Sequence, residues 1–204
     1  MSGALAIQGS TTALVVIDLQ NDFLDASGAY ARGGDSNPPA LLLPDRVAAV
    51  ARALKAAGGM VAASQFTLWP DAAGEPMVSP HLKALRPYLK KGDFAPGSWG
   101  QANVAALEGL VDVAVSKVAY SAFFNTQLDW VLRRACIQTV AVCGIVTNGG
   151  VASTVRDAHM RDYRTLVLAD GCAAFGEERH QVSLADMRNV AEVLDCAAFV
   201  RLLT

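Results

Sequence analysis

The chain has 204 residues, 52% of them hydrophobic, with 17 basic residues against 19 acidic and a net charge of −2. That length predicts a single domain over 1–204, and the apolar content is ample for a sizeable core. A near-neutral balance with no basic run excludes nucleic acid and anionic membrane as main partners, and no apolar run reaches the roughly 20 residues that span a bilayer.

In chain order, Ala13 to Ile17 is a continuous apolar run, as expected of a parallel strand buried on both faces, and it ends in Asp18. Asp22 follows and reads as a cap or turn residue. Asp25 to Pro39, rich in glycine, serine and proline, reads as a long loop of the kind that forms lids. Helical spacing covers Arg46 to Ala57, ended by Gly58-Gly59. Met60 to Ser64 is a second strand with Gln65 at its end. Phe66 to Pro96 is irregular, holds five of the eight prolines and His81, and is expected to cover a site.

Ala102 to Leu110 is expected to be a short helix. Val111 to Val115 is a third strand with Lys117 just past it, and Gln127 to Ala135 a further helix. Val140 to Cys143 opens the stretch that the chain is organised around, V-A-V-C-G-I-V-T-N-G-G-V-A-S-T-V-R-D. A buried strand runs there into a glycine-bearing turn that launches a helix from about Gly150 to Met160. Asn148 suits the N-cap, and Gly149 and Gly150 allow close approach of a ligand to the backbone. Arg164 to Ala169 is the fifth strand and ends at Asp170. Glu177 to Leu194 reads as a last long helix, and Ala197 to Leu202 as a final strand.

Strands alternating with helices predict a three-layer α/β/α architecture around a mainly parallel sheet of about six strands. Asp18, Gln65, Lys117 and the Gly149-Gly150 turn then share the carboxyl edge of that sheet, where open α/β sheets bind small molecules. Cys136, Cys143, Cys172 and Cys196 show no close pairing. Reduced thiols in a cytoplasmic protein are expected, and no secretion signal is read at the N-terminus.

Four ordered segments carry a resemblance to the isochorismatase-like hydrolases, the cysteine hydrolase family. They are V-V-I-D-L-Q-N-D-F at Val15 to Phe23, K-V-A-Y-S-A-F-F-N-T at Lys117 to Thr126, G-I-V-T-N-G-G-V-A-S-T-V-R-D-A at Gly144 to Ala158, and L-A-D-G-C-A-A-F at Leu168 to Phe175. The resemblance implies a Rossmann-like fold with Asp18 and Lys117 as catalytic residues. It places the nucleophilic cysteine of amidohydrolase members at Gly150, where no covalent chemistry is possible. It implies substrate contacts from Gln65, Phe23, Trp99, Tyr120, Phe123, Thr147, Asn148 and Gly149.

Isochorismatases are similar in carrying glycine at this place. They cleave a vinyl ether, a carboxylic acid protonating the methylene carbon and water trapping the oxocarbenium ion. Their basic residue two places after the lysine is Ala119 here. Zinc-binding members carry an aspartate and histidines after the second strand, whereas this chain has S-Q-F-T-L-W-P, so no metal and no cofactor are expected. The resemblance also implies a cis peptide at Ile145–Val146 and a homo-oligomer, dimer or tetramer. His180 and Glu178 are read as surface residues. Three readings stay open: enol-ether hydrolysis through Asp18 and water, amide or carbamoyl hydrolysis with the cysteine replaced, and non-catalytic binding of a small molecule.

Overall fold

The computed structural model describes residues 6–35 and 37–204. Six strands form one all-parallel sheet: β1 (Thr12–Ile17), β2 (Met60–Phe66), β3 (Val113–Lys117), β4 (Thr139–Ile145), β5 (Arg164–Ala173) and β6 (Glu192–Leu194), ordered β3-β2-β1-β4-β5-β6. Every residue of β1 and of β4 is buried, which explains their continuous apolar sequences: both faces of the sheet are covered.

The eight α-helices among the described residues are α1 (Asn21–Leu24), α2 (Ala29–Arg32), α3 (Leu43–Ala56), α4 (Pro80–Leu85), α5 (Leu128–Arg134), α6 (Ala152–His159), α7 (Glu177–Met187) and α8 (Cys196–Leu202). The strand order runs one way from β1 through β2 to β3 and the other way from β4 through β5 to β6. Right-handed crossovers therefore send α3 to one face and α6 and α7 to the other. α3 also packs against α8, completing its layer.

The reversal of strand order lies between β1 and β4. In open α/β sheets that switch point leaves a crevice outside the strand ends, where ligands bind. Gly144 lets the two strands meet there. Its φ is +114°, and a Cβ would stand 2.1 Å from the Ile17 carbonyl oxygen, so only glycine fits beside Asp18. The β4–β5 register also shifts here, between Val142 and Gly144.

Several boundaries differ from the sequence reading. The expected last strand over Ala197 to Leu202 is helix α8, started by the Asp195 side chain capping the Ala198 amide, with Cys196 and Phe199 buried one turn apart. The sixth strand is instead Glu192–Leu194, and the expected helix Glu177 to Leu194 stops at Met187. Ala102 to Leu110 contains only a single 3-10 turn, Ala105–Leu107, before Gly109 turns left-handed at φ +69°. Lys117 is the last residue of β3 rather than the first beyond it. The expected loop Asp25 to Pro39 contains α2, and its Ser36 lies outside the described residues, as do residues 1–5, on which the reading of the N-terminus rests.

That segment is docked, not free. Asp22 Oδ1 accepts from the Ala29 amide at 3.0 Å, and its Oδ2 accepts from the Phe94 amide at 2.7 Å. Arg32 pairs with buried Asp93 at 2.6 Å, and the Tyr88 hydroxyl donates to Asp35 at 2.6 Å. Ala29, Leu68, Leu89 and Phe94 form a small second core beneath it.

Candidate active site

Asp18 leaves β1 in a left-handed conformation, φ 54°, which aspartate tolerates better than most residues. Its carboxylate is buried. Oδ1 accepts from the Ser64 hydroxyl at 2.7 Å, and Oδ2 meets the Lys117 ammonium at 2.6 Å. Lys117 stands on β3 and Asp18 follows β1, two strand spacings apart, or roughly 10 Å. The buried lysine side chain spans that gap across β2, passing Phe66, whose ring centroid lies 5.7 Å from Nζ. A second Lys117 proton goes to the Ala119 carbonyl at 3.0 Å. An ammonium has three donors, so one is left for a ligand.

The third element is the turn Thr147–Val151, which follows β4 and precedes α6. The peptide Ile145–Val146 before it is cis, in agreement with the resemblance. Gly150 faces Asp18: a Cβ there would lie 3.5 Å from Asp18 Oδ2, 2.8 Å from Ile17 Cγ2 and 3.1 Å from the Ile145 carbonyl oxygen. The Thr154 hydroxyl holds this end of the turn, donating to the Gly150 carbonyl at 2.7 Å and accepting from the Ala122 amide at 3.0 Å. At the other end Thr147 Oγ1 and His180 Nδ1 lie 2.8 Å apart.

Burial pushes the Asp18 carboxyl above the usual carboxylate range, against the lowering influence of Lys117, of the Ser64 hydroxyl and of a hydrogen bond from the Phe66 backbone. Cys143 is buried in β4, and burial raises its thiol well above the ordinary range, so it is no thiolate. Among the described residues, no group of three or more His, Cys, Asp or Glu side chains is placed to hold a metal ion. No helix among them is long and apolar enough to cross a membrane.

The structure brings Asp18, Lys117 and Gly150 together. Gly149 and Thr147 lie in the same turn, and the Tyr120 ring lies 3.3 Å from where a Gly149 Cβ would stand. Asn148 lies in that turn too and Gln65 at the same sheet edge, whereas Phe123, Trp99 and Phe23 fall elsewhere. Strand alternation turns Gln65 to the face opposite Ser64, and Ser64 is the β2 residue on Asp18. Phe123 is a core residue, stacked on Tyr163 at 6.1 Å with the Arg161 guanidinium over its ring. Trp99 is half exposed and lines a separate cleft of about 590 Å³ with Asn21, Asp25 and Glu108. Phe23 packs against Tyr30, Phe94 and Phe66, one layer behind Lys117.

Asn148 is exposed, and Val146, not Asn148, precedes the turn, so the expected N-cap is absent and α6 starts at Ala152. Glu178 is exposed, whereas His180 is half buried against Thr147 and is no plain surface residue. Ser64 and Thr154 went unread. Ser64 carries the one available signal, a small hydroxyl at the end of a buried strand.

A family model described as Isochorismatase domain matches residues 12–198. The chain is 35% identical over 210 residues to a ureidoacrylate amidohydrolase RutB of Methylorubrum extorquens, covering 96% of this chain and 84% of that protein. Among solved structures it is similar to a cysteine hydrolase from Pseudomonas syringae pv. phaseolicola 1448A, with TM-score 0.81, 27% identity and 99% and 98% of the two chains covered. It also shares the fold of an N-carbamoylsarcosine amidase from Thermoplasma acidophilum, with TM-score 0.71, 24% identity and coverage of 91% and 96%.

Proposed function

The chain belongs to the isochorismatase family of hydrolases, and from that premise we propose that it hydrolyses a small alkene bearing an oxygen or nitrogen substituent, by protonating carbon. One observation carries the reading. The position facing Asp18 Oδ2 is a bare glycine, whose Cβ would stand 3.5 Å from that oxygen, and it offers no side chain to attack a carbonyl. The reacting groups are then a buried carboxyl whose proton affinity is raised by burial, an ammonium beside it, and water.

The steps balance with these groups alone. Asp18 gives its proton to the carbon of the double bond remote from the heteroatom; a C–H bond forms and the π bond breaks. The cation left on the other carbon is shared with the oxygen or nitrogen. Water adds to that carbon, and the hemiacetal or hemiaminal collapses, breaking the C–O or C–N bond as the heteroatom takes a proton. Asp18 recovers its proton from the water. Lys117, already at 2.6 Å, stabilises the carboxylate as it forms, so its interaction strengthens when the proton leaves. Its third N–H is available to an anionic group of the substrate.

A second reading is favoured by the relative named ureidoacrylate amidohydrolase, 35% identical over 96% of the chain. Here Asp18 as carboxylate would activate water toward a C–N carbonyl. Ureidoacrylate itself separates the two, because its nitrogen is attached to a double bond. Protonation at carbon releases urea, whereas attack on the carbonyl releases ammonia and carbon dioxide.

The experiment supplies isochorismate, ureidoacrylate and small amides to the wild type and to Asp18→Asn, in heavy water. The proposal expects urea from ureidoacrylate or singly deuterated pyruvate methyl from isochorismate, and a loss of about 10²–10⁴ in Asp18→Asn. Turnover that survives Asp18→Asn, or ammonia and carbon dioxide without urea, overturns it.

A further inference from the structure

We propose that His180 is a positioning residue for the turn that presents Gly150 to Asp18, acting through the Thr147 hydroxyl. The inference rests on reading that turn as part of the active site. His180, Leu184 and Met187 are spaced four and three apart on α7, and Leu184 and Met187 are buried, so His180 shares the helix face that packs inward. An imidazole at that place meets one polar group, Thr147 Oγ1 at 2.8 Å. Thr147 is fully buried, and a buried hydroxyl without a partner is costly.

Within the turn the bonds are backbone ones, the Ala152 amide donating to the Thr147 and Gly149 carbonyls. The Gly149 and Val151 amides both converge on the Val146 carbonyl, at 2.9 and 3.3 Å. Two successive glycines offer no side chain, and Asn148 points its exposure to solvent. Thr154 anchors the far end from within α6, the helix the turn itself launches. His180 anchors the near end from a different helix, and so sets the turn against α7. A neutral His180 with its proton on Nε2 would accept from the Thr147 hydroxyl through Nδ1. The hydroxyl proton then points at α7.

The test needs no substrate, so its failure is distinct from failure of the proposed reaction. The chain has three histidines, His81, His159 and His180, so imidazole ¹⁵N signals can be assigned with one substitution each. The wild type should show an unprotonated Nδ1 on His180 that shifts in Thr147→Val. Asparagine can place an acceptor where Nδ1 stands; phenylalanine fills the volume without one. Loss of this buried hydrogen bond should raise amide exchange at Gly149 and Val151 about tenfold in His180→Phe, while His180→Asn stays within about twofold of wild type. The Asp18 carboxyl carbon signal should move in His180→Phe and not in His180→Asn. A protonated Nδ1 in the wild type overturns the proposal, as does exchange in His180→Phe at the wild-type rate or in His180→Asn as fast as in His180→Phe. If His180→Phe fails to fold, the wild-type tautomer and its response to Thr147→Val decide.

Discussion

Lys117→Met tests the electrostatics of the site most directly. Asp18 and Lys117 are 5% and 2% exposed, and their charges meet at 2.6 Å. Removing one partner of such a pair strands a buried charge, at a cost of about 3–5 kcal/mol. A chain of this size loses about 2–4 °C per kcal/mol, so the melting temperature should fall by about 6–20 °C at neutral pH. The sign of the pH dependence follows from Asp18. Its folded-state proton affinity is raised by burial, so its contribution is fully present below the ordinary value of 3.8 and is lost as pH rises through the folded-state value. Without Lys117 the chief lowering influence disappears and that value climbs further. The deficit of the variant should therefore shrink as pH falls and grow as pH rises. The double variant Asp18→Asn with Lys117→Met removes both charges and should regain most of the lost stability. Thermal unfolding followed by circular dichroism over a pH series that starts at the ordinary value of 3.8 and rises from there checks all three expectations. A deficit below about 1 kcal/mol, typical of a solvent-exposed pair, would refute the reasoning, as would a double variant no better than the single.

Gly150→Ala should cost about 1–3 kcal/mol in the same assay, because its Cβ meets Ile17 Cγ2 at 2.8 Å and the Ile145 carbonyl oxygen at 3.1 Å; an unchanged melting temperature would show that Ile17 yields freely. Gly150→Cys, which carries the same crowding, should acquire activity on small amides if the second functional reading holds, and none over a broad panel counts against it. Asp22→Ala leaves the Ala29 and Phe94 amides without their acceptor and should cost about 2–6 kcal/mol, with both amides exchanging faster in hydrogen exchange. Of the four cysteines only Cys136 is exposed; burial pushes Cys172 up to about 12 and raises Cys143 and Cys196 as well. A thiol reagent near pH 8 should modify one site per native chain and four in denaturant, and fast modification of a second native thiol would contradict the buried assignment.

The layered architecture was legible because burial on two faces leaves a distinctive trace. Ala13 to Ile17 and Val140 to Cys143 are short, continuous and apolar, and such runs between stretches of helical spacing suit a covered parallel strand. The C-terminal swap shows where that logic stops. Ala197 to Leu202 is as apolar as a strand, and its helical state is decided by the Asp195 cap and by Phe199 reaching the core, a tertiary matter. Strand order was equally hidden: the reversal between β1 and β4 depends on which edge each crossover takes, and no single segment records it.

The same limit explains the site. Asp18 and the turn at Gly150 were legible because each ends a central strand, and adjacent central strands put their ends side by side. Lys117 looked weak because the sequence places it at the end of some strand without saying that only β2 separates that strand from β1, a gap one lysine side chain can bridge. Ser64 and Thr154, which went unread, and His180, which was read as a surface residue, all act through polar side chains whose value lies in what they face. Sequence patterns report which face of an element is apolar. They do not report which polar group on that face meets a partner, because the partner comes from an element whose placement is set by the fold as a whole. The aromatic contacts expected at Phe123 and Trp99 misled for the mirror reason: a large apolar ring is as useful to the core or to a surface cleft as to a ligand, and burial alone decides between them.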